Sequence, residues 1–188
     1  MFRYERSEQK SPDLKLLLLY IDSYLETIQK EIRLANISES HKILNLGCGA
    51  IPATCILLAK KTNATITGIE KNLKSVKSAK IISTKLKLDK RIEIKHSNAM
   101  NAQLHDFDII IIANGINPYY KVLKRVATDM KDDAMVILRT FSQRNGETAD
   151  KDNFLKHFYI LGNKISCTKS GFLISVLLYK KGRKTKMY

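Results

Sequence analysis

Two glycines, one acid, two amides and one arginine in this chain are spaced so that they could work on one ligand. Gly47 and Gly49 follow the short apolar run Ile43, Leu44 and Leu46, and Pro52 then opens an apolar stretch with helix-forming residues. A strand, glycine turn and helix in that order bring main-chain N–H groups against a ligand at a helix N-terminus, which suits a nucleotide or a carboxylate. Glu70 lies 23 residues past Gly47, the separation at which a carboxylate accepts from the hydroxyls of a ribose. Asn98, Asn114 and Arg139 close or lie within later strand-like runs. In a doubly wound sheet, such strand ends surround the ligand crevice.

The elements that would position these residues follow from hydrophobic periodicity. A long helix is expected over about 11–34, with Ser11 and Pro12 at its start and Leu14, Leu17, Leu18, Ile21, Leu25, Ile28 and Ile32 on one face. Strands are expected at 65–70, 91–96, 108–113 and 134–140, with DIIIIA (108–113) apolar enough for the middle of a parallel sheet. Helices are expected from about Leu73 to Leu86, with Leu73, Val76, Ile82 and Leu86 toward the sheet, and from Tyr119 to Met130. Ser142–Asn153 reads as a polar loop, with a short helix following through Leu155. Tyr159–Ser166 and Phe172–Tyr179 are strand-like and too close together for a crossover helix, so they must run antiparallel.

The expectation is therefore an α/β chain: a Rossmann-like, doubly wound, seven-stranded and mostly parallel sheet with an antiparallel last strand, preceded by a helix. With 188 residues, 44% of them hydrophobic, one domain over 1–188 is expected, its cofactor-binding fold at about 41–180 and a basic tail at 181–188.

Composition excludes several classes. Leu16–Tyr20 is cut short by Asp22, so no membrane helix is expected, and the mixed charges of the N-terminus do not resemble a secretion signal, so the expected location is the cytoplasm. Cys48, Cys55 and Cys167 have no paired spacing and the histidines are scattered at 41, 96, 105 and 157, so no metal is expected. Lysine and arginine number 33 against 18 acids. That excess makes RNA a candidate partner, although the basic tail is not tied to the site and a small-molecule acceptor is the first expectation. The sequence leaves the oligomeric state open.

The whole pattern resembles the class I S-adenosylmethionine-dependent methyltransferases. ILNLGCG (43–49) is similar to their first motif and Glu70 to their ribose-binding acid, while Ser97, Asn98 and Ala99 stand at their adenine loop, where an aspartate is usual. Asn45 stands where an acid is frequent, and Ile51 replaces a third glycine. The resemblance implies S-adenosylmethionine as cofactor, on Asn45, Gly47, Cys48, Gly49, Glu70 and Lys71, together with Asn98, Ala99 and Asn114. Asn114, with Tyr119 behind Asn117 and Pro118, is similar to the segment with which amino-methylating enzymes hold a planar nitrogen.

Locally, GCGAIPATCILLA (47–59) and VILRT (136–140) resemble the nicotianamine synthases, which donate an aminocarboxypropyl group from the same cofactor and carry an arginine in their fifth strand, here Arg139. Asn114, Tyr119 and Arg139 are thus the candidate catalytic residues. The expected activity is methyl transfer to an unidentified acceptor. Aminocarboxypropyl transfer, RNA methylation and a non-catalytic nucleotide-binding module are the alternatives.

Overall fold

Strand-forming and helix-forming segments alternate along the chain, and they fold as one seven-stranded sheet covered on both faces. The computed structural model describes residues 13–141, 148–167 and 173–181. The strands are β1 (Lys42–Leu46), β2 (Thr65–Glu70), β3 (Ile92–His96), β4 (Ile109–Ile112), β5 (Met135–Phe141), β6 (Tyr159–Ser166) and β7 (Leu173–Lys180). Their order across the sheet is β3-β2-β1-β4-β5-β7-β6. β1 to β5 run parallel, and β7 runs antiparallel to both β5 and β6. The order reverses at β1, which lies between β2 and β4, and that reversal opens a crevice outside the carboxyl ends of the strands.

Because the central strands are buried on both faces, they are apolar at successive positions. Ile43, Ile111 and Ile137 pack on one face with α1 (Leu14–Asp22), α2 (Leu25–Leu34), α3 (Ala53–Thr62) and α4 (Leu73–Lys85). Leu44, Ile110 and Val136 pack on the other with α5 (Tyr119–Asp129) and with Leu155 of α6 (Thr148–Phe158). Helix α3 is buried from Ala53 to Ala59, caught between the sheet and the two N-terminal helices. This is why its sequence has no polar face.

Three expectations need correction. The N-terminal segment is two helices, because at Ser23 the hydroxyl donates to Tyr20 O at 2.7 Å and Tyr24 N bonds Ile21 O at 3.0 Å, turning the chain between α1 and α2. Asp13 caps α1 by accepting from Lys15 N, while the expected start at Ser11 and Pro12 lies outside the described residues. Leu73 opens α4 half-exposed instead of facing the sheet, whereas Val76 and Ile82 are buried as expected. The helix before β6 is also longer than its sequence suggested, taking in 148–153, which had read as loop. Of the basic tail, 182–188 lies outside the described residues.

Candidate cofactor site

At the crevice beside β1, a cavity of about 170 Å³ is lined by the ends of four parallel strands. Gly47 and Gly49 line it from the β1 turn, Ile69, Glu70 and Lys71 from the end of β2, Ser97, Asn98 and Ala99 from after β3, and residues 113–117 from after β4. Of the expected cofactor residues, Gly47, Gly49, Glu70, Lys71, Asn98, Ala99 and Asn114 are therefore brought together. The volume is below the roughly 300–1,000 Å³ of most ligand clefts, so a complete nucleoside cofactor would extend past it.

The glycine turn has the geometry its residue types require. Gly47 and Gly49 adopt φ of 80° and 72°, in the left-handed region that a side chain strains. A Cβ on Gly47 would also lie 3.3 Å from Ile116 Cδ1, narrowing the approach between the β1 and β4 loops. Gly47 N and Cys48 N both donate to Ile69 O, at 2.8 and 3.0 Å, which fastens the turn to the end of β2. Glu70 then bridges two loops: its Oε2 accepts from Gly49 N at 3.2 Å and its Oε1 from Asn72 N at 2.9 Å. Asn72 in turn caps α4, accepting from Ser75 N at 3.0 Å.

Asn98 holds the opposite wall. Its Oδ1 accepts from Met100 N at 2.9 Å, capping a short 3-10 turn over Ala99–Asn101. Arg125 of α5 secures the same turn by donating to Ala99 O at 2.9 Å and Ala102 O at 2.6 Å, and Asp129 lies 3.2 Å from its Nε. Arg125 had no sequence signal, since a basic residue in an amphipathic helix reads as solvated.

Four expected site residues lie elsewhere. Cys48 is buried beneath the turn, its Sγ in the notch left by Gly68, and its thiol is raised by burial and by the nearby Cys55 and Glu70. Asn45 points to the α3 side of β1, with its Nδ2 3.5 Å from Cys55 Sγ. Tyr119 does not line the cavity, and burial pushes its phenol up to about 12, with the nearby Thr140 acting against the rise. Arg139 is 6% exposed on the α3 side of the sheet, in an ion pair with Glu31 at 2.7 Å.

The donor set fits the cofactor that the sequence resemblance implies. A carboxylate at the end of β2, main-chain amides in a glycine turn and a small-residue loop after β3 converge on the cavity, as adenosine recognition needs. Glu70 is the one carboxylate and Lys71 the one cation among the described lining residues.

Residues 24–144 match the family described as methyltransferase small domain. L-histidine 2-aminobutanoyltransferase of Yersinia pestis is 24% identical over 120 residues, 64% of this chain and 45% of that protein. The enzyme of the same name from Pseudomonas aeruginosa is 28% identical over 123 residues, 64% of this chain and 46% of that one. The chain thus spans under half the length of these curated relatives. Among solved structures, a mutant of MtNAS in complex with S-adenosylmethionine superposes with a TM-score of 0.77 at 18% identity, covering 92% of this chain and 68% of that one. An RNA methyltransferase from Salinibacter ruber, in complex with S-adenosyl-L-homocysteine, gives 0.65 at 15% identity, covering 82% and 91%. The family match spans well over half of the chain and falls on the strands and loops that build the cavity: the chain belongs to the methyltransferase small domain family.

Proposed function

We propose that the chain transfers the aminocarboxypropyl group of S-adenosylmethionine to a nitrogen of a small amine. The observation that carries this reading is the shared name of its curated relatives, both 2-aminobutanoyltransferases acting on L-histidine by their names and each matched over nearly two thirds of this chain. The likeness of residues 47–59 and 136–140 to nicotianamine synthases points the same way.

The chain's own part is binding and alignment. Glu70 holds the ribose hydroxyls, the Gly47–Gly49 turn lets the main chain approach, and the Asn98 turn flanks the base. Asn114 lines the cavity just beyond β4 and is exposed, which supports a role for it in orienting the acceptor nitrogen. The bound sulfonium supplies an activated carbon, so that an N–C bond forms as the C–S bond breaks, methylthioadenosine leaves and the nitrogen's proton passes to water. Such a transfer needs alignment more than proton relay, in keeping with a cavity that offers no second described carboxylate.

Methyl transfer is the second reading, favoured by the description of the family itself. Incubation with cofactor and a pool of small amines, including histidine, separates the two. Methylthioadenosine above its spontaneous background supports aminocarboxypropyl transfer, and S-adenosylhomocysteine in its place would establish methyl transfer. RNA offered as sole acceptor should support neither product.

A further inference from the structure

Glu31 and Arg139 lie 108 residues apart in the chain and meet inside it. Arg139 Nε donates to Glu31 Oε1 at 2.8 Å and Nη2 to Oε2 at 2.7 Å, a two-pronged pair in which Glu31 is wholly buried. Burial alone would disfavour the guanidinium's charge, but the Glu31 carboxylate outweighs it and holds Arg139 above its ordinary range. The third prong, Nη1, donates to Thr54 Oγ1 at 2.8 Å. Ser175 of β7 donates to Glu31 Oε1 at 2.6 Å, so the carboxylate is satisfied from two strands.

A buried ion pair is a poor source of net stability, because its desolvation cost offsets the attraction; what it supplies is a single fixed geometry. Here that geometry ends on Thr54, the second residue of α3 and five residues beyond Gly49. We propose that Glu31 and Arg139 are positioning residues for the cofactor turn. Through Thr54 they hold the first turn of α3 at the height where Gly49 N reaches the Glu70 carboxylate. Glu31 belongs to α2, which contributes nothing to the described cavity lining, so the pair also links the N-terminal helices to the ligand site. The proposal rests on the cavity being the cofactor site.

The test compares Thr54→Val, Thr54→Ser and Arg139→Lys by calorimetric titration with S-adenosylhomocysteine, with thermal unfolding followed in parallel. Thr54→Val removes only the acceptor for Nη1 and keeps the shape. It should weaken binding by about fivefold to tenfold while the melting temperature moves by no more than about 3 °C. Thr54→Ser, which restores the hydroxyl, should bind within about twofold of the unsubstituted protein. Arg139→Lys keeps the charge but cannot span both partners, and it should weaken binding at least as much as Thr54→Val. Folded Thr54→Val with unchanged affinity would overturn the proposal, whether or not Arg139→Lys folds. Failure of the unsubstituted protein to bind would overturn the cofactor assignment itself, and the proposal with it.

Discussion

The main-chain N–H of Gly49 donates to Glu70 Oε2 at 3.2 Å, so the turn after β1 and the acid ending β2 are joined directly across the cavity. In the proposed function Glu70 thereby has two duties, fixing the turn and presenting oxygens to a ligand. Its replacement by alanine should weaken binding of S-adenosylhomocysteine by about 1–3 kcal/mol, the loss expected for a charged hydrogen-bonding partner. Titration of Glu70→Ala beside Glu70→Gln measures it. The amide retains one acceptor oxygen and should lose less.

Gly68 is a position where space alone decides. A Cβ there would come within 2.8 Å of Ile94 Cδ1 and 3.0 Å of Cys48 Sγ, pressing from below on the cofactor turn. Gly68→Ala should therefore lower stability by about 1–3 kcal/mol in urea unfolding and weaken cofactor binding as well. Adding Cys48→Gly, which vacates the notch, should recover part of both losses. No recovery would show that Ile94 alone carries the strain.

Buried thiols and phenols set an alkaline limit. Burial pushes Cys55 from 9.0 up to about 11, with the Asn45 hydrogen bond and Arg139 acting against it, and Tyr119 rises from 10.0 to about 12. With both pKa values raised by folding, the unfolded chain loses these protons first, so stability falls as pH rises. For Cys55 the window opens at pH 9 and closes near 11, and its share is on the order of 2 kcal/mol. Urea unfolding at pH 7.5, 9 and 10.5 should show the decline, and Cys55→Ala should make it shallower. Equal slopes in the two proteins would assign the decline to other groups.

Tyr159 is anchored on the far face of the sheet, where its hydroxyl donates to Leu123 O at 2.6 Å and its ring is buried. Tyr159→Phe leaves that carbonyl without this donor and should cost about 1–2 kcal/mol of stability. Affinity for S-adenosylhomocysteine should be unchanged, since neither residue lines the cavity. An altered affinity would show that α5 transmits strain to the Asn98 turn, which Arg125 holds.

Much of this architecture was legible because its signals are local. Central parallel strands are unbroken apolar runs, so DIIIIA revealed β4, and the glycines of the β1 turn are the residues that positive φ demands. The buried network was not legible. Helical periodicity carries no signal for a buried acid, so Glu31 had no place among the expected residues, although it is fully buried and paired with Arg139 of β5. Arg139 was expected at the site because it lies near a strand end; alternation along β5 instead sends it to the α3 side with Ile137. Ser23 divides the N-terminal helix through a hydroxyl bond that no hydrophobic pattern records.

The central claim is that Gly47, Gly49, Glu70 and Asn98 line the binding site of S-adenosylmethionine. Calorimetric titration of the folded protein with S-adenosylhomocysteine tests it most directly. The account predicts one saturable site per chain, with binding weakened by Glu70→Ala. An intact, folded protein that takes up no ligand at millimolar concentration, or one whose affinity is indifferent to Glu70→Ala, would contradict it.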